Sequence, residues 1–241
     1  MLFYNIFGTL GFTREALLAC LAAIVAIVVA LVSHEIAHGL VALWNGDDTA
    51  KLSGRLSLNP AVHFDPMGLI MMLLLGFGYA RPVPVNPNNY KNRRCGEVTV
   101  ALAGVTTNII LAFINALLYL LTYKYYYAYE IQGNVIYYVL TFLVWLFNFA
   151  MSVNISFALF NILPLFPLDG YRFIAAFADE NGSVLTWLRR NGRYIMMGII
   201  LLEWVTTIVP RIEFISPLYW YFQRFGSLIK YGFVAFWELI V

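Results

Sequence analysis

No charged residue interrupts Ile131–Leu168, a run of thirty-eight positions. A helix rises about 1.5 Å per residue and a bilayer's hydrocarbon core is about 30 Å thick, so such a run is longer than a crossing needs. Ala16–Ser33 is free of charge for eighteen residues and Val98–Tyr123 for twenty-six. A soluble domain of 241 residues does not carry blocks of this kind together with 61% hydrophobic and 12% charged residues. The mean hydropathy is +0.75. The pattern implies an all-α polytopic membrane protein.

Helices are expected over about Ala16–Trp44, Val98–Tyr123, Val135–Leu165, Tyr194–Val209 and Leu218–Val241, giving about five transmembrane helices. Residues 45–66 carry turn residues and short alternating stretches, which predict a small β-hairpin or sheet near the cytoplasmic face. Met67–Tyr79 is apolar but only thirteen residues long, and reads as a re-entrant or interfacial segment. The whole of 1–241 reads as one membrane-embedded domain, with a core over about 16–172 and C-terminal helices over about 194–241. Ala16–Ser33 has no basic start and no clear small-residue cleavage site, so the amino terminus is expected to be retained. Cys20 and Cys95 are expected as free thiols. The net charge of +2 gives no case for nucleic acid as a partner.

Lys and Arg mark the cytoplasmic side of a membrane protein. Residues 45–97 and 171–193 hold ten of them, whereas Arg14, Lys124 and Arg211 stand opposite. The two long loops are therefore expected in the cytoplasm and the amino terminus outside.

Within the first block stands "HEIAH", residues 34–38. On a helix, His34 and His38 lie one turn apart on one face and can share a metal, with Glu35 beside them as a proton acceptor. A zinc ion lowers the pKa of a bound water to about 7, which makes a nucleophile at neutral pH. A chance His pair is a weak alternative, because an acid inside a membrane helix costs about 2.5–3.5 kcal/mol. Catalytic zinc takes three protein ligands and leaves one position open. Asp169 is the one acid inside the later apolar blocks, and Pro164 and Pro167 just before it break a helix at membrane depth. Such a break is tolerated where backbone lines a protein or water-filled cavity. His34 and Asp169 can meet only if their helices run in the same direction, which needs a single crossing between them. Val98–Tyr123 supplies it, provided that Met67–Tyr79 does not span.

These residues resemble the site-2 protease family of intramembrane zinc metalloproteases. The resemblance rests on "HEIAH" (34–38), "LSLNPAVHFDPMG" (56–68), "GFGYARPVPVNPNNY" (76–90), "GVTTN" (104–108) and "NILPLFPLDG" (161–170). It covers about residues 20–172 in a minimal form without a PDZ or CBS module. It implies one zinc held by His34, His38 and Asp169, Glu35 as general base, and Asn161 binding the substrate or stabilising the oxyanion. The implied activity is hydrolysis of a peptide bond in or near a transmembrane segment of a membrane-protein substrate, with the bilayer as surroundings. Together with the Lys/Arg bias, the expected location is the cell membrane, with the active site toward the cytoplasm. Val105 departs from the family's proline without removing a ligand, and Asn108 reads as a helix-packing amide. His63 in "HFDP" reads as a residue that ties down a turn.

A prenyl-protein processing type of peptidase would need a glutamate ligand, and Glu203 and Glu238 are the later candidates, neither in a matching motif. A transporter or channel would leave Glu35 without a role, and no inverted repeat is visible. A metal-binding but inactive scaffold would not need Glu35, which is intact.

Overall fold

The computed structural model describes residues 2–68, 80–128, 134–178, 182–209 and 215–241. It is mainly helical. Helix α1 (Leu2–Leu10) is followed by a turn at Gly11, where φ is 64°. Helix α2 (Arg14–Trp44) opens with the Thr13 hydroxyl accepting the Ala16 N–H at 3.2 Å. Its 31 residues would span about 46 Å, more than the hydrocarbon core. Helices α4 (Arg93–Ala128) and α5 (Val135–Asn161) complete a set of three that are long and apolar enough to cross a membrane.

Packing among the three is the reverse of a soluble bundle. The buried side of α2 is Ala16, Ala19, Ala22, Ala23, Ala26 and Ala30, whereas Leu17, Leu21, Ile24 and Val29 face outward. Lipid provides no hydrophobic drive between helices, so small residues that let backbones approach mark the interface. Ala112 and Ala116 of α4 pack in the same way against Met151 and Ile155 of α5. Helix α4 runs antiparallel to α2: His38 meets Val100, and His34, one turn earlier, meets Asn108. Midway along α5, Trp145 and Phe149 pack against Ala16–Ala23, and farther on its Asn154 meets Asn108, so α2 and α5 run the same way.

The end of α2 and the start of α4 are joined by residues 45–92. Among the described residues this segment contains no sheet. Where the sequence suggested a hairpin, the chain forms a short helix α3 (Thr49–Leu52), a 3-10 turn (Pro60–Val62) and one isolated antiparallel bridge, Phe64 to Ala80. Asp47 explains the difference. Its fully buried carboxylate accepts from the N–H and hydroxyl of Thr49, from the Asn86 N–H at 2.7 Å and from Asn89 Nδ2 at 2.8 Å. That coils the chain locally and draws residues 86–89 inward. His63 is buried and donates through Nε2 to the Ser57 carbonyl at 2.8 Å. The expected segment Met67–Tyr79 lies, beyond its first two residues, outside the described residues.

Helix α5 ends at Asn161, and Pro164 and Pro167 follow. Helix α6 (Asp169–Ala175) then starts at once. A Cβ on Gly170 would stand 2.5 Å from the Leu163 carbonyl oxygen, so glycine lets the two backbones touch. Helix α7 (Ser183–Ile208) carries Arg189, Arg190 and Arg193 in its first half. The last stretch is divided into α8 (Pro217–Tyr221), a π turn (Phe222–Gly226) and α9 (Ser227–Glu238). Trp237 of α9 donates to the Phe113 carbonyl at 2.9 Å, which fixes this stretch against α4. Cys20 and Cys95 are free thiols.

Candidate metal centre

Three side chains converge where α2, α4 and α6 meet. His34 Nε2 and His38 Nε2 are 3.0 Å apart, and Asp169 Oδ2 is 3.2 Å from the first and 3.1 Å from the second. All three residues are buried, at 6%, 4% and 6% exposure. The i, i+4 spacing in α2 places the imidazoles on one face, and the start of α6 brings the carboxylate up to them.

The protons on the two rings are placed by their outer partners. His38 Nδ1 lies 2.7 Å from the Val100 carbonyl oxygen, which can only accept, so Nδ1 carries the proton and donates. His34 Nδ1 lies 2.6 Å from Asn108 Oδ1, again an acceptor, and donates to it. Both Nε2 atoms therefore present lone pairs when the rings are neutral. Asp169 Oδ2 is buried and has no hydrogen-bond partner. With the rings neutral, three electron-rich atoms face one another, an arrangement suited to a cation. Ligands about 2.0–2.1 Å from a tetrahedral zinc lie roughly 3.3–3.4 Å apart, close to the separations seen here. Among the described residues this is the group able to hold a metal ion. Neither Glu203, whose carboxylate engages the Ser216 hydroxyl, nor the exposed Glu238 stands in it, and neither does His63.

A family model described as "Peptidase family M50" matches residues 22–202, three quarters of the chain. The chain belongs to peptidase family M50. This is the site-2 protease family that the motifs resembled, and its zinc metalloprotease character agrees with the ligand group. A Bacillus subtilis (strain 168) protein named "Putative zinc metalloprotease YwhC" is 44% identical over 151 residues, which make up 63% of this chain and 66% of that relative. No solved structure matches the chain.

Around the M50 ligand group, Glu35 points its carboxylate at the loop that follows residue 80. Its Oε2 accepts the Val83 N–H at 2.9 Å. One carboxylate oxygen is thereby held and the other is not engaged in that bond. Buried Arg55 donates to the Arg81 carbonyl and fastens the same loop two residues earlier. Asn161 donates through Nδ2 to the Phe157 carbonyl at 3.0 Å, a bond that uses one of its two amide protons.

Sequence reasoning missed four contributors: Val83, Val100, Gly104 and Asn154. Two act through their backbone, and a backbone group leaves no signal in residue identity. Gly104 had a signal, since glycine inside a helix costs about 1 kcal/mol relative to alanine. A Cβ there would collide with the His34 ring. Asn154 was one asparagine among several in an apolar block.

Proposed function

We propose that this chain is a zinc endopeptidase that hydrolyses a peptide bond in or near a transmembrane segment of a membrane-protein substrate. The observation that carries this reading is the convergence of His34 Nε2, His38 Nε2 and Asp169 Oδ2 beside a glutamate whose carboxylate is already anchored. When bound, zinc supplies the acidity of a coordinated water and polarises the scissile carbonyl.

Each step on the protein side belongs to a named group. His34, His38 and Asp169 would hold the metal. Glu35, fixed through Oε2 by the Val83 N–H, uses its other oxygen to take the water's proton and pass it to the leaving amine. Asn161 offers an amide proton to the oxyanion. A helical substrate hides its carbonyls and must be held extended to be cut. The stretch 81–86 runs without regular structure next to Glu35; Pro82 and Pro84 have no N–H and those of Arg81, Val83 and Asn86 are engaged, so it would hold such a segment through its remaining backbone groups and not as a full edge strand.

The domain extends over 1–241, with α7 and the α8–α9 stretch as fourth and fifth crossings beside the three long helices. The arginine-rich start of α7 and the basic residues near 91–94 favour the cytoplasm for the site end of the bundle, in the cell membrane. The deciding experiment compares substrate fragments in membranes that contain this chain or its Glu35→Gln form. Fragments in both or in neither would remove the proposal.

A further inference from the structure

His34 and His38 have their protons placed by different means. His38 faces a backbone carbonyl, which cannot exchange acceptor for donor. His34 faces a side-chain amide, which can. Were the Asn108 amide turned by 180°, its NH₂ would face His34 Nδ1. That nitrogen would then have to accept, Nε2 would carry the proton, and the lone pair required of a metal ligand would be gone.

The amide is kept from turning by a second asparagine. Asn108 Nδ2 donates to Asn154 Oδ1 at 2.7 Å and, over a longer 3.3 Å, to the Ala30 carbonyl. Asn154 is in turn oriented by its own Nδ2 donating to the Ala150 carbonyl at 2.7 Å. Asn108 and Asn154 are 0% and 1% exposed, so water does not compete for these bonds. A turned Asn108 would set its oxygen against the Asn154 and Ala30 oxygens. The row therefore starts at a fixed backbone acceptor on α5, passes through two amides and ends at the lone pair of a ligand on α2.

We propose that Asn154 is a positioning residue for the metal centre: through Asn108 it fixes the tautomer of His34. The proposal rests on the ligand group holding zinc and adds a residue some distance from it.

The test measures zinc affinity of the purified full chain by chelator competition, with a disruptive and a conservative change at Asn154. Asn154→Leu removes the acceptor, and zinc affinity should fall by about 10–100-fold, the size of outer-shell effects elsewhere. Asn154→Asp, in its protonated form, keeps an acceptor for Asn108 Nδ2 and a donor for the Ala150 carbonyl, and should recover most of that affinity. No loss in Asn154→Leu, or an equal loss in Asn154→Asp, would overturn the proposal.

Asn154→Ala serves if leucine disturbs folding, which thermal unfolding and elution behaviour report. A second readout needs no metal. Ring ¹⁵N shifts of the metal-free protein should show His34 protonated at Nδ1 in wild type and as a tautomer mixture in Asn154→Leu; unchanged shifts would count against Asn154. A wild-type chain that fails to take up zinc would instead count against the metalloprotease reading.

Discussion

The imidazole of His34 fills the space that a side chain on Gly104 would need. A Cβ there would stand 2.6 Å from both Nδ1 and Nε2 of the ring. Gly104→Ala should therefore displace the ligand while favouring α4 itself by about 1 kcal/mol of helix propensity. Zinc affinity should fall about tenfold or more, with thermal stability of the zinc-free protein equal to or above wild type. Chelator competition and thermal unfolding check the two halves separately. Loss of stability without loss of zinc would contradict the contact.

Glu35→Gln keeps the shape of the side chain and can hydrogen-bond water, but it cannot accept a proton. Zinc content should match wild type, while cleavage drops by the roughly 10²–10⁴-fold typical of general-base loss. Metal analysis with a turnover assay on one preparation decides. Near wild-type cleavage by a zinc-loaded variant would end the general-base assignment.

Asp169→Ala leaves two ligands where catalytic zinc takes three. The affinity loss should exceed the roughly 100-fold upper range of outer-shell changes, with activity lost in parallel. Unchanged zinc occupancy would mean that another group completes the set.

Asp47 ties residues 86–89 to the end of α2. Burial pushes its carboxyl up, but hydrogen bonds from Thr49, Asn86 and Asn89 outweigh this and hold it below its usual 3.8. A lowered folded-state pKa means stability that is present above the unfolded value and lost as pH falls through the folded one. The difference in Tm between wild type and Asp47→Asn should thus hold from neutral pH down to about 4 and close below that. At neutral pH, Asp47→Ala should also reduce cleavage, because the loop that carries Val83 loses an anchor. A Tm difference independent of pH would contradict this.

Single cysteines near positions 50, 92 and 185 should react with cytoplasmic reagents, and one near 130 with external reagents. External labelling at 92 would mean an additional crossing after α3, and with it the loss of a common direction for α2 and α5.

How much of this was legible depended on what each signal reports. Charge-free blocks mark the length buried in lipid, not the length of a helix. Helix α4 consequently extends beyond Val98–Tyr123 at both ends, where Arg93 and Glu97 pair at 2.9 Å. Helix α7 begins eleven residues before the expected Tyr194 for the same reason. Helix α1 was too short to register. The convergence of His34, His38 and Asp169 was readable because HExxH spacing places two of them on one helix face and the prolines before Asp169 mark the third. The expected hairpin failed because alternation shows which sides of a strand differ, but supplies no partner, and Asp47 offered the backbone nearer bonds. Asn108 was read as a packing amide, which its bonds to Ala30 and Asn154 support, yet its contact with His34 joins residues far apart in sequence.

The two histidines lie early in the chain and the aspartate about 130 residues later. At synthesis rates of about 5–20 residues per second, roughly 7–26 s separate their emergence from the ribosome. In that interval α2 carries two members of the candidate group without the third. On the proposed ligand set, the growing chain has no complete metal centre until α5 and the start of α6 have been made.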